Sequence, residues 1–305
     1  MPFVSVVIPC YAQAHFLGEA IESALAQAHR AHEIIVIDDG SPDNVREVVA
    51  RYPGVRCVSQ ENRGLSQARN RGLAECSGDF LVFLDADDRL LPNALQAGAN
   101  ALSARPECAF VWGYRRLIDA QGNPLPSDIK NYRGRATYES LLRENIIGPP
   151  VVVMFRRSAL LELGGFSAEQ RYSEDYELHL RMARRYDSWC HEQLIAEYRL
   201  HGANMSLNHR GMLAGNLFAL AGQERFVGSD AVLRRALRAG RRLAWEREDG
   251  GPRMDELSQH ARAGRWARAA FLAAGLLYKY PRMFAPILYR RIRRAMLPSR
   301  TRRTA

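Results

Sequence analysis

The sequence lacks any Cys-x-x-Cys pair. Its five cysteines, Cys10, Cys57, Cys76, Cys108 and Cys190, are odd in number and widely scattered. That spacing argues against a disulfide framework and against a zinc knuckle, and fits reduced, mostly buried thiols in a cytosolic protein. There is no G-x-x-x-x-G-K-[ST] phosphate loop and no G-x-G-x-x-G, so neither an NTPase nor a dinucleotide enzyme has motif support. Long apolar runs are missing too: the longest late one, Ala269 to Tyr278, is about half of a bilayer span. The apolar start has no cationic leader and is cut at Pro9, so a secretory signal is not expected and the chain is placed on the cytoplasmic side. No internal repeat is evident.

Uniform charge is also absent. The net charge of +10 resolves into 19 basic and 5 acidic residues from Arg234 onward, against 24 basic and 28 acidic residues before it. Sequence-wide nucleic-acid binding is thereby disfavoured, and the positive excess belongs to the C-terminal quarter. With 305 residues, 47% hydrophobic and 25% charged, the chain has ordinary globular composition and enough length for one large core plus an appendage.

Two periodicities alternate through the first third. Val4 to Ile8, Ile34 to Ile37, Val55 to Val58, Phe80 to Leu84 and Ala109 to Trp112 read as short buried strands. Between them, Phe16 to Ala28, Val45 to Tyr52, Leu65 to Ala74 and Pro92 to Ala104 carry helical spacing, with Ser41-Pro42 read as the start of the second helix. Strict alternation predicts βαβ units and a mostly parallel sheet flanked by helices. Asp119 to Arg135 reads as a turn and loop. Val151 to Phe155 reads as strand, Leu160 to Phe166 as a short helix ended by glycines, Glu177 to Tyr186 as helix and Ile195 to Leu200 as strand. From about Gly211 the pattern is helical throughout, which sets expected domains at 1–210 and 211–305.

Polar residues follow the strands where such sheets bind ligands: Pro9-Cys-Tyr11, Asp38-Asp-Gly-Ser41 and Asp85-Ala-Asp-Asp88. Three carboxylates within four residues repel one another unless a cation neutralises them, which suits Mg²⁺ or Mn²⁺ held together with substrate phosphates. A solvated acidic turn opening the next helix is the plainer alternative, as is a simple Asp-Gly turn for the second segment.

Four segments in order, Val4-Ser-Val-Val-Ile-Pro-Cys-Tyr11, Ile34-Ile-Val-Ile-Asp-Asp-Gly-Ser41, Asn62-Arg-Gly-Leu-Ser-Gln-Ala-Arg-Asn70 and Phe83-Leu-Asp-Ala-Asp-Asp88, resemble a family 2 glycosyltransferase with a GT-A fold. The resemblance covers roughly residues 3 to 206. It implies that Pro9 and Tyr11 line a base pocket, that Asp39 accepts a hydrogen bond from the base, and that Arg69 approaches the nucleotide. Asp85 would contact ribose or metal and Asp87 would bind the metal, with Asp88 a further candidate. Gly164-Gly-Phe166 followed by Ser173-Glu-Asp-Tyr-Glu-Leu178 resembles the family's glycine turn and Glu-Asp motif, which makes Asp175 the expected general base and Glu174 the second choice. Helix capping by Ser173 with acidic residues in the first turn is the structural alternative. In Tyr198-Arg-Leu-His201, His201 would be a third metal ligand or a diphosphate contact. The implied reaction is metal-assisted single displacement, inverting, moving a sugar from a nucleoside-diphosphate sugar (UDP favoured) to a hydroxyl on a glycan or lipid-linked saccharide in polysaccharide or envelope synthesis.

Two other readings of the same residues are a sugar-phosphate nucleotidyltransferase and an inactive glycan-binding scaffold. The first is disfavoured because no glycine- and lysine-rich triphosphate loop follows the first strand. For the C-terminal quarter, Arg290 to Arg294, Arg300, Arg302 and Arg303, with Phe271, Leu276, Leu277, Tyr278 and Phe284 nearby, predict peripheral attachment to anionic lipid on the cytoplasmic face of the inner membrane. A helical appendage packed on the catalytic domain is the alternative.

Overall fold

Val4 to Cys10 forms the first strand, β1, and all seven of its residues are buried. A run buried on both faces needs helices above and below it, and the next segments supply them. The computed structural model describes residues 2–30, 32–126 and 132–285. In the first half, helix α1 (Ala14–Leu25), β2 (His32–Asp38), α2 (Val45–Val49), β3 (Arg56–Ser59), α3 (Leu65–Glu75), β4 (Phe80–Phe83), β5 (Arg89–Leu90) and α4 (Ala94–Ser103) follow in order. Then come β6 (Cys108–Ile118), α5 (Tyr138–Arg143), β7 (Val153–Arg156), α6 (Arg157–Glu162), α7 (Glu174–Ala183), β8 (Asp187–Arg199), α8 (His209–Ala221) and α9 (Glu224–Val227).

The eight strands make one sheet in the order β3-β2-β1-β4-β7-β6-β8-β5. β1 pairs in parallel with β2 and β4, and β2 with β3, so the carboxyl ends of these strands open on one edge. β7 runs antiparallel to both β4 and β6, while β6 and β8 are parallel. The α/β class and the helix-flanked, mostly parallel sheet agree with the sequence pattern, with the antiparallel β7 and the short β5, antiparallel to β8, as the departures. β6 and β8 are much longer than their apolar cores suggest, because they pair along their whole length through Ile118 and Arg199. The two-residue β5 has no sequence signature. α2 starts after Asn44 rather than at Ser41-Pro42; Ser41 instead donates its backbone N–H to Asp38 and so closes the turn after β2.

Compactness divides the chain at Gly240 rather than near residue 210. The physical reason is close packing of the first late helices. A Cβ on Gly215 of α8 would stand 2.3 Å from the Tyr172 carbonyl oxygen, and one on Gly240 would stand 2.0 Å from that of Leu142. Only glycine permits those approaches. α10 (Ala231–Trp245) carries the chain into the second unit, where α11 (Gly251–Arg262) and α12 (Trp266–Lys279) form a hairpin. Its small core is Leu257, Leu276, Tyr280 and Phe284. Asp249 ties the hairpin together, accepting from Lys279 Nζ at 3.0 Å and Tyr280 Oη at 2.6 Å. The basic run from Arg290 to Arg303 lies outside the described residues, as do residues 127–131 of the expected loop. Among the described residues no helix is long and apolar enough to cross a membrane.

Candidate active site

The loops after β1, β2 and β4 meet at the open edge of the sheet. Asp39 N–H donates to Cys10 O at 2.9 Å, and Ala14 N–H to Asp43 Oδ2 at 2.9 Å, joining the first loop to the second. Gln13 Nε2 donates to Asp87 Oδ2 at 3.3 Å, joining the first loop to the third. Parallel strands end in register, so their loops adjoin without further contrivance.

Asp39 is 3% exposed. Its Oδ1 accepts from Gln60 Nε2 (2.7 Å) and Arg63 N–H (3.0 Å), and its Oδ2 from Gly64 N–H (2.9 Å). It therefore draws residues 60–64 against the end of β2 and seats the first turn of α3. Pro9 is buried within β1, paired with Ile37, whereas Tyr11 is 51% exposed beside the crevice.

α3 in turn places Arg69, and the structure adds to the implied role a bridge between two carboxylates. Its guanidinium is 1% exposed. Nη1 donates to Glu174 Oε1 at 2.6 Å and Nη2 to Asp85 Oδ1 at 2.7 Å, with the Phe166 ring beneath at 5.2 Å. Arg69 thus ties the loop after β4 to the start of α7 while almost fully covered. Two close carboxylates hold its charge firmly and raise its already high pKa.

Glu174 is committed to that bridge. Asp175 is not: it makes only a local bond, Oδ1 accepting its neighbour Tyr176 N–H at 2.7 Å. Burial, and then the charge of Glu174, push the Asp175 pKa up to about 7, and Asp85 adds to the rise. Ser173 does not cap the helix. It sits at φ +56 in the left-handed region, its buried Oγ without a partner. A non-glycine residue held there is strained, and the turn it makes is what sends Glu174 inward and leaves Asp175 as the freer carboxylate.

In the third loop, His201 Nε2 lies 2.8 Å from Asp87 Oδ2, both side chains largely covered. Burial, then the charge of Asp85, raise the Asp87 pKa. Asp88 is 1% exposed and turned inward: Oδ1 accepts Arg199 N–H at 2.9 Å and Oδ2 has no partner. Among the described residues no three His, Cys, Asp or Glu groups already surround a common point. The donor set nonetheless fits a hard divalent ion. Asp87 and His201 converge, Asp85 keeps Oδ2 without a hydrogen-bond partner among the described residues, and the repulsion between the two carboxylates is what a cation relieves. Two or three protein ligands, with phosphate oxygens and water completing the shell, are usual for such an ion.

Two arginines escaped the sequence reading. Arg199 is 0% exposed and braces the acidic loop from inside, Nε to Asp87 O (2.7 Å), Nη1 to Ala120 O (2.9 Å) and Nη2 to Glu19 Oε2 (2.6 Å). Arg115 is half-buried over the Tyr198 ring at 5.1 Å, and no ion pair or hydrogen bond engages its guanidinium among the described residues. After Tyr198, Asp88 and Asp175 are the acidic groups whose fields it feels, and burial lowers its pKa. Gly148, at φ +96, makes room for it, since a Cβ there would lie 2.8 Å from Nη1. The signal available was an Arg-Arg pair inside an apolar strand next to Gly113.

Residues 5–164 match the sequence model described as Glycosyl transferase family 2. Chondroitin synthase of Escherichia coli is 28% identical over 235 residues, covering 73% of this chain and 32% of that longer protein. Among solved structures, a mannosyltransferase from Pyrobaculum calidifontis, in complex with GDP-Man and Mn²⁺, superposes with a TM-score of 0.63 at 19% identity, covering 97% of this chain and 87% of that one. S. aureus TarS in complex with UDP-GlcNAc superposes at 0.62 and 17% identity, covering 91% of each chain. At such identities these two likenesses concern the fold, and both neighbours were solved with nucleotide-sugar donors.

Proposed function

Because this chain belongs to glycosyl transferase family 2, we propose that it moves a sugar from a nucleoside-diphosphate sugar, UDP-linked by preference, to a hydroxyl of a glycan or lipid-linked saccharide. The transfer is a single displacement with inversion at the anomeric carbon. The chondroitin synthase likeness supports a polysaccharide acceptor. Five unpaired cysteines support a reducing, cytoplasmic setting.

The observation that carries the reading is the division of labour between adjacent carboxylates. Arg69 immobilises Glu174 and leaves Asp175 free, with a pKa near neutrality. A base is most effective when its pKa lies near the working pH, since it is then both ionised and basic enough to take a proton. Asp175 would accept the proton of the acceptor hydroxyl as that oxygen attacks the anomeric carbon, and the bond to the diphosphate breaks. Tyr11 offers a ring face to the base, and Asp39 orders the loop around it. Arg115 supplies a fixed positive charge for negative charge developing on the leaving group. Asp87 and His201, with Asp85 adjoining, would hold Mn²⁺ or Mg²⁺, which when bound acts as a Lewis acid on the diphosphate oxygens.

The deciding experiment is a donor screen with Mn²⁺ or Mg²⁺ that follows release of UDP, GDP or dTDP in the presence of oligosaccharide acceptors. Release of a nucleoside diphosphate coupled to acceptor elongation supports the proposal. Release of pyrophosphate from an NTP and a sugar phosphate would replace it with nucleotidyl transfer, and absence of any turnover would leave a binding scaffold.

A further inference from the structure

The C-terminal hairpin contains an apolar surface that its own small core does not use. One side of α12 packs inward: Ala269 and Leu276 are buried, and Leu276 joins Leu257, Tyr280 and Phe284. The opposite side carries Trp266, Ala267, Ala270, Phe271, Ala274 and Tyr278, all exposed. At 3.6 residues per turn these span an arc of about 140° without one charged side chain. The aromatic members are far out, with Trp266 69%, Phe271 78% and Tyr278 91% exposed. Single exposed apolar residues are ordinary; three large aromatics on one charge-free arc are not.

The charges around the arc have one sign. Arg268 borders it on the helix, Arg262 ends α11, and Arg265 immediately precedes α12. None of the three has a carboxylate partner among the described residues. Beyond Ala285 the sequence adds seven arginines and no acidic residue. An apolar arc with aromatics, edged by arginines that no carboxylate neutralises (Arg265 donates only to the His260 ring, at 2.7 Å), is the chemistry of a helix lying in the headgroup region of an anionic bilayer, where Trp and Tyr favour the boundary and arginine meets phosphate. An apolar protein groove would leave those arginines unanswered.

We propose that the outer face of α12 is a membrane-contact surface for anionic lipid. The sequence pointed to the terminal arginines and to Leu276 and Phe284 among others. The structure withdraws those two into the hairpin core, leaves Phe271 and Tyr278 of the same set outside, and adds Trp266 to them. The inference stands on this unit alone and does not need the reaction proposed above.

The test uses the full chain and sedimentation with vesicles of phosphatidylcholine, with or without phosphatidylglycerol. The wild-type protein should pellet with the anionic vesicles, and less so as salt is raised. Phe271→Glu combined with Tyr278→Glu should weaken that partition by at least ~10-fold. Arg262→Glu with Arg268→Glu should do likewise without touching an apolar group, which keeps the test alive if the first variant folds poorly. Nucleoside diphosphate release from the donor, measured without vesicles, should be the same in all three proteins. Loss of release would count against folding or the reaction, not against the lipid surface. The proposal is overturned if both double variants partition like wild type, or if the aromatic pair instead converts a dimer to a monomer with lipid binding unchanged.

Discussion

Replacing Asp175 by Asn separates the chemistry of this site from its stability, because the two should move in opposite directions. Asn keeps the carbonyl oxygen that accepts Tyr176 N–H at 2.7 Å, so the start of α7 should hold its shape. What disappears is a negative charge that burial and Glu174 disfavour. The rise from the ordinary value of 3.8 to about 7 corresponds to a ceiling of ~4 kcal/mol, at about 1.4 kcal/mol per pH unit. Part of the side chain reaches solvent, so ~1–2 kcal/mol is the working expectation. The sign follows from the raised value: the folded protein binds the proton more tightly than the unfolded chain does. The cost of carrying Asp175 is thus absent below about pH 4, grows as pH rises, and is complete above about 7. Asp175→Asn should therefore melt ~3 °C or more higher than wild type at pH 8, with the gap closing toward pH 4. Its turnover should fall by at least ~100-fold with donor binding unchanged. Wild-type kcat/KM should climb with pH through about 7, as the base ionises, and then level off. Calorimetry across pH and single-turnover transfer assays read the two effects. Turnover within threefold of wild type, or no gain in melting temperature at pH 8, would refute the assignment.

Arg69→Met leaves Asp85 and Glu174 facing each other without their shared cation, and unfolding in urea should show a loss of ~3–5 kcal/mol. Asp87→Ala should abolish Mn²⁺-dependent donor binding in titration calorimetry, and His201→Ala should weaken it; chelation should stop wild-type turnover and added Mn²⁺ restore it. Arg115→Ala should fold normally yet lose ~10- to 100-fold in kcat/KM, the worth of one charge-assisted hydrogen bond to the reacting diphosphate. Unchanged kinetics would reduce Arg115 to packing on Tyr198.

Much of the site was legible because its residues are local. Asp38-Asp39 and Asp85 to Asp88 each follow a strand, and period alone places them at the carboxyl edge of a parallel sheet, whereas Glu174-Asp175 opens a helix and was legible only through the family resemblance. Arg69 was legible as a site residue but not as a buried bridge. Its two partners are 16 and 105 positions away, and no local pattern encodes that pairing. That the first compact unit runs on to Gly240 was not legible for a similar reason, since helical periodicity cannot tell which helix packs on which core, while the close approaches of Gly215 and Gly240 can.

By itself the sequence determined the α/β class, the family and the acidic loops, because strand and helix periods and strand-end motifs are short-range properties of the chain. Only the tertiary structure decided which of two adjacent carboxylates is free, which arginine bridges two carboxylates and which has none beside it. It also decided which side of α12 is left without a partner. Those are questions of desolvation and contact across long separations, and their energies exist only once distant segments have been brought together.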